Sequence, residues 1–228
     1  QEMAGFKSKL LTLEHQSMNA SMNRHFTFNA LNSIQYFINT RDRLSANKYL
    51  TNFAKLIRKN LDTAATDQNM ISLEDEIERL ELYLSLESMR FKGRFIYEIK
   101  AENLELDSIK IPAMLIQPFI ENSIIHGILP DESIDGRLLI DLSITNEVLQ
   151  IKIEDNGIGV SHSLSEKGAT IGDHRSQGME ITSKRIALIQ KISNQGISME
   201  GPKEVLNSDG SIKGTHVLIK IPLSNLEI

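Results

Sequence analysis

Gln117-Pro118-Phe119-Ile120-Glu121-Asn122-Ser123-Ile124-Ile125-His126-Gly127 is the stretch on which the reading of this chain turns. Pro112 to His126 is largely apolar and reads as a buried helix, with Pro118 either bending it or sitting in its first turn. An acid, an amide and an imidazole interrupt that apolar run. Magnesium in nucleotide sites takes one or two protein oxygens and completes its octahedron with phosphates and water, so Asn122 on a helix can supply what the protein owes. Glu121 beside it can position water or accept a proton. The plainer alternative is a polar helix end closed by Gly127, with His126 a partly buried, satisfied histidine. Taken alone, the stretch favours that alternative.

Downstream, Leu149–Glu154 alternates as a strand and runs into Asp155-Asn156-Gly157-Ile158-Gly159. Glycines let backbone approach a ligand closely. A carboxylate at a strand end can accept hydrogen bonds from an adenine amine and from water. The competing reading is a hairpin turn, since Asn-Gly is a strong turn signal. Coming in this order after Asn122, the pattern points to a nucleotide more than either part does. Gly178 precedes a helical pattern over Met179–Ile192, whose first amides suit phosphate, and Arg185 lies two turns further on. Gly214-Thr215 opens the last strand, where a bare backbone and a hydroxyl can face a base. Val160 to Gln177, polar and rich in Gly, Ser and His, reads as a mobile loop.

Upstream, Met3, Phe6, Leu10, Leu13, Ser17, Ala20, Arg24, Thr27, Leu31, Ile34 and Ile38 follow alternating spacings of three and four, a helical seam. His25, Asn29, Asn32 and Tyr36 form a second stripe, about 100° from it. An imidazole there is exposed and nucleophilic, with amides to orient it. A chance histidine on a solvated helix is the bland alternative and the better one from spacing alone. After the turn Thr40-Arg41-Asp42-Arg43, a second helix runs from Ala46 to Leu61, making an antiparallel hairpin. Two helices bury too little, so pairing with a second chain into a four-helix bundle is expected. Thr63 to Asn69 reads as a linker. Ser72 with Asp75 resembles a capping box for a helix reaching Phe91. Strands are expected around Phe95–Ile99, Leu138–Ile144, Ile197–Glu200 and Thr215–Pro222.

The 228 residues contain no cysteine, which excludes disulfides and thiolate chemistry. Net charge is −5, against a nucleic-acid partner. It is divided unevenly: residues 1–63 carry nine Lys/Arg against four Asp/Glu, the remainder sixteen against twenty-six. That suggests two units with different surfaces. No run approaches the about 18–20 apolar residues that span a bilayer, and no signal peptide is evident. Gln1 falls inside a helical pattern, so the chain reads as a piece of a longer protein.

Together these residues resemble the LytS-like sensor histidine kinases. The resemblance runs from about Ser17 to Pro222 and is carried by H-F-x-F-N-x-L-N-S-I at His25–Ile34 and Q-P-F-x-E-N-x-x-x-H-G at Gln117–Gly127. Asn122 and the glycines resemble the Asn and Gly boxes of the gyrase, chaperone, histidine-kinase and mismatch-repair ATPases. Gly178–Ile186 resembles the family's second glycine box in a Bacteroidetes-like variant. The resemblance implies that His25 accepts the γ-phosphate of ATP, Asn122 holds Mg2+ and Asp155 reads adenine. Gly157, Gly159 and Gly178 would shape the phosphate pocket, and His126, Arg185, Gly214 and Thr215 would line the nucleotide site. Glu121 is the candidate proton acceptor. It further implies a homodimer, a response regulator as phosphate acceptor, often with a LytTR-type output, and a cytoplasmic domain whose parent sits in the inner membrane through segments before Gln1.

The expected fold is α+β: a helical hairpin for dimerisation and phosphotransfer over 1–66, then an α/β-sandwich ATP-binding domain of Bergerat type over 67–228, with a mixed, mainly antiparallel sheet. Three departures stand out. Arg24 replaces the family's proline before the histidine, Ile125 replaces a frequent lysine, and Phe26 follows the histidine where other kinase classes have an acid. The first two motivate a rival, a kinase-like dimeric scaffold that binds nucleotide poorly. A chaperone or mismatch-repair type of ATPase is the other rival, but the glutamate it needs four residues before the Asn is here Pro118.

Overall fold

The computed structural model describes residues 26–65, 70–102, 104–160 and 196–223. Arg24, His25, Gly178, Arg185, the loop expected over 161–177 and the helix expected over Met179–Ile192 lie outside the described residues. The chain divides into two compact units, residues 1–93 with 110–113, and residues 94–109 with 114–228.

The first unit is helical. Helix α1 covers the described residues 26–39, and α2 is Arg43–Ala65. Between them Arg41 takes a positive φ of 60° and the Asp42 carboxylate accepts the Ser45 amide at 3.0 Å, capping α2. Phe37 meets Tyr49 near the turn and Phe26 meets Phe53 further along, as antiparallel helices require. Helix α2 continues through Ala65, past the start of the expected linker. Helix α3, Leu73–Arg90, is capped as its sequence suggested: the Ser72 hydroxyl accepts the Asp75 amide at 3.1 Å. It packs on the hairpin, with Tyr83 against Phe26 and Ser85 accepting from Asn52 at 3.2 Å. The hairpin therefore has a third helix of its own chain on it.

Alternation cannot reveal strands of three residues, and two were missed. Strand β1, Met70–Ser72, pairs antiparallel with β3, Lys110–Pro112. This corrects the helix expected from Pro112. Residues 113–116 form a turn in which Met114 has a φ of 59°, and helix α4 starts only at Gln117. Pro118 falls in its first turn, where a missing N–H costs nothing.

The second unit is a five-stranded sheet ordered β2-β4-β5-β7-β6, where β2 is Phe95–Lys100, β4 Gly136–Thr145, β5 Val148–Asp155, β6 Ser198–Leu206 and β7 Ile212–Pro222. Only β2 and β4 are parallel; the other pairs are antiparallel. Strands β4 and β5 join through Asn146 and Glu147, both at positive φ, a two-residue hairpin turn. One sheet face is apolar and buried: Leu138, Ile140 and Leu142, then Leu149, Ile151 and Ile153, then Val217, Ile219 and Ile221. Helix α4, Gln117–Asn122, continues into a π-helical turn, Ser123–Ile128, that lies against β4, β5 and β7. Phe119, Ile120, Ile124 and Ile128 are its buried side chains. The architecture is α+β with a mixed, mainly antiparallel sheet, as expected.

Candidate nucleotide site

Strand β5 ends at Asp155, which is only 4% exposed. Its Oδ1 accepts the Gly157 amide at 3.0 Å, and the Ser123 side chain and Thr215 amide also bond to the carboxylate. Burial pushes this carboxyl above its ordinary range, and the three hydrogen bonds pull back only in part. A buried acceptor held this way is suited to a ligand that brings its own N–H.

The walls around Asp155 are backbone. A Cβ on Gly127 would lie 2.9 Å from Asp155 Oδ1, and one on Gly157 would lie 2.2 Å from the Gly127 carbonyl carbon. The Gly127 oxygen accepts the Ile158 amide at 3.0 Å. The Asn-box helix and the glycine turn thus touch main chain to main chain. On the other side, Gly214 has a φ of 149°, and its Cβ would fall 1.7 Å from the Asp155 oxygen. Any side chain at these positions would force the segments apart.

Both plainer readings of the motifs fail on this geometry. Gly127 does not close a helix; it is buried within the π turn. Asp155-Asn156-Gly157 is not a hairpin, because the chain turns helical at Gly159 instead of pairing back. Asn156 braces that exit: its Oδ1 accepts the Arg137 amide at 2.6 Å and its Nδ2 donates to the Asp135 oxygen at 2.9 Å. Gly159 faces Glu204 and Ile212 across the turn.

Glu121 and Asn122 sit half-buried at the end of α4, with Glu121 Oε1 accepting from Gln117 at 2.7 Å. His126 is half-buried on the π turn, and Ile125 is 40% exposed. A π turn inside a helix often marks a functional site; here it delivers Ser123 to Asp155 and Gly127 to Gly157. The structure brings Asp155, Gly157, Gly214 and Thr215 together with the helix bearing Asn122. Ser123, Asn156 and Gly127 were not assigned these roles from sequence. Ser123 had no signal beyond standing next to Asn122, and a π turn is invisible to a 3.6-residue period. Among the described residues no group of three His, Asp or Glu side chains could hold a metal ion. A single Asn122 oxygen still fits magnesium, if the other ligands arrive with a nucleotide.

A family model described as "Histidine kinase" matches residues 13–95. The sensor protein LytS of Staphylococcus epidermidis is 30% identical over 209 residues, covering 92% of this chain and 34% of the relative. The sensor histidine kinase BtsS of Escherichia coli is 35% identical over 151 residues, 66% of this chain and 26% of the relative. The solved histidine kinase AdeS of Acinetobacter baumannii shares 14% identity at a TM-score of 0.42, over 85% of this chain and 93% of that one, and adds no weight. The chain belongs to the LytS-like sensor histidine kinase family. It spans about a third of the length of the LytS relatives it matches. Among the described residues no helix is long and apolar enough to cross a membrane.

Proposed function

We propose that this chain is the kinase core of a two-component sensor, autophosphorylating His25 from Mg-ATP and passing the phosphoryl group to an aspartate of a response regulator. The observation that carries this reading is the closure of two separated glycine-bearing motifs around one buried carboxylate, Asp155. In this reading residues 1–66 serve dimerisation and phosphotransfer, and residues 67–228 bind ATP.

Asp155 accepts the adenine amine, with Thr215 and Gly214 forming the base wall. Gly157, Gly159, Gly178, His126 and Arg185 serve the ribose and phosphate side. Asn122 holds the magnesium ion. Bound Mg-ATP supplies the γ-phosphoryl group and much of the neutralising charge. The His25 imidazole forms the N–P bond as the P–O bond to ADP breaks, and Glu121 takes the imidazole proton. The protein's share is positioning and electrostatics, as in other phosphoryl transfers. The dimer forms through the hairpin, where Phe28, Leu31, Ile38 and Leu50 are exposed in the single chain. A regulator with a LytTR-type output, a cytoplasmic location and an inner-membrane parent complete the proposal.

The test is labelling with γ-labelled ATP and Mg2+, comparing this chain with His25→Gln. Acid-labile label that disappears in the variant supports the reading. Failure to label despite demonstrated nucleotide binding removes it for this chain. Absence of nucleotide binding favours the scaffold reading, for which the exposed apolar Ile125 is the motive.

A further inference from the structure

Ser123 and Gly127 belong to the same π turn, and both meet Asp155, all within the second compact unit. Gly127 does so by lacking a side chain: its Cβ would lie 2.9 Å from Asp155 Oδ1 and 3.4 Å from Oδ2. Ser123, half-buried, does so with its hydroxyl, which bonds to the carboxylate. A carboxylate offers about four acceptor positions. The amides of Gly157 and Thr215 and the Ser123 hydroxyl take up three of them, which leaves room for a donor from a ligand.

The partners differ in what they can do. An amide N–H only donates, whereas a hydroxyl turns and either donates or accepts. Its bond to the ionised form is charge-assisted and the stronger one, so Ser123 opposes the burial that pushes the Asp155 carboxyl upward. When the carboxyl is protonated, Ser123 is also the partner of these three that can accept its proton. Without the hydroxyl, a protonated carboxyl is left to turn its O–H toward a ligand. This bears on the choice of base. Adenine carries an amine at C6, which needs an acceptor. A 6-oxopurine carries a carbonyl there, which a carboxylate repels and a carboxyl O–H satisfies.

We propose that Ser123 is a positioning residue that sets base specificity: its hydroxyl keeps Asp155 a pure acceptor, and so selects an adenine nucleotide over a 6-oxopurine nucleotide. The proposal rests on the reading of Asp155 as the adenine acceptor. The charge acting on that carboxyl comes from Glu154, its neighbour on β5. Arg137, Glu154 and His216 are each one residue out of step with the cross-strand row Leu138–Asp155–Thr215, so they lie on the opposite sheet face. Toward the site, Glu121 and His126 come from the helix and π turn, and Glu204 of β6 stands beside Gly159. All of these are shared by every Ser123 variant, so a difference between variants reports Ser123.

The experiment is calorimetric binding of ADP and of inosine diphosphate, which differ at C6 alone, to the full chain from about pH 5 to about pH 8. Wild type is compared with Ser123→Ala, Ser123→Thr and Asp155→Asn. Alanine is a strong helix former, so Ser123→Ala keeps its fold. In wild type the preference for ADP should shrink as pH falls and the carboxylate is protonated. In Ser123→Ala that loss should begin about one pH unit higher, with the preference cut about tenfold within that window. Ser123→Thr, which restores the hydroxyl, should return the profile. Weakening of both nucleotides by the same factor in Ser123→Ala would overturn the proposal and leave Ser123 a merely structural role. So would an unchanged profile in Ser123→Ala while Asp155→Asn abolishes the preference, a result that keeps the adenine reading of Asp155. A preference for ADP that survives Asp155→Asn would remove that reading and this proposal with it.

Discussion

The two units are built by opposite means. Around Asp155 the tightest contacts are on main chain: Gly157 lies on the Gly127 carbonyl and Gly214 on the Asp155 main-chain oxygen, at distances that admit no side chain. In the helical unit the contacts are side chain on side chain: Phe26 on Phe53 and Tyr83, Phe37 on Tyr49. The outer face of that unit still carries uncovered apolar groups, with Phe28 67% exposed. The first arrangement fixes the backbone around a buried carboxylate. The second leaves apolar surface uncovered in the single chain. Tolerance to substitution should differ accordingly, and that difference can be broken or sharpened by experiment.

The largest effect is expected at Gly157→Ala. Its methyl would overlap the Gly127 carbonyl, so a loss of about 3 kcal/mol or more is expected, together with loss of nucleotide binding. Urea unfolding and nucleotide titration read both, and a variant with native stability would sink the picture of a backbone-built site. Asp155→Asn should separate folding from function. Burying an amide costs less than burying a charge, so the unliganded protein should hold or gain stability. Adenine nucleotide affinity should fall by about 10- to 100-fold, as expected for loss of one charge-assisted hydrogen bond.

Titration supplies the next comparison. Burial raises the carboxyls of Asp155 in the second unit and Glu87 in the first, the latter opposed by Arg90. For an acid raised in the fold, the stabilising contribution is full below the unfolded pKa and is lost as pH rises through the folded one. Unliganded stability should therefore decline from the ordinary carboxylate range up to the raised values. Asp155→Asn and Glu87→Gln should each flatten part of that slope in pH-dependent melts. Nucleotide affinity should move the other way, weakening as pH falls through the raised pKa of Asp155, because the adenine amine needs an acceptor. Only Asp155→Asn should abolish that binding profile.

Leu31→Glu on the open helix face should change monomer stability by no more than about 0.5 kcal/mol, as for surface positions generally. Sedimentation should nevertheless show a shift from dimer to monomer; an unchanged dimer would place the interface elsewhere. Ser72→Ala removes the cap of α3 and should cost about 1 kcal/mol in urea unfolding, while leaving the oligomeric state unchanged.

Much of this was legible in the chain itself. Alternation in Leu138–Ile144 and Leu149–Glu154 marked β4 and β5, Ser72 and Asp75 marked the start of α3, and Pro118 was assigned to a bend or a first turn. These are local matters, set by side-chain period, capping chemistry and the missing proline N–H. The order of the Asn and Gly motifs likewise pointed to a nucleotide, and the relatives agree on the family. Tertiary structure alone decided what depends on distant partners. The three-residue β1 exists only because Lys110–Pro112 lies beside it, which is also why the expected helix starts five residues late. Gly127 looked like a helix stop by itself, and it became a wall of the candidate site when Gly157 and Asp155 arrived from β5. A residue's type limits what its neighbourhood can be, but hydrogen-bond pairing and close backbone approach are properties of two segments, and one segment's sequence cannot state them.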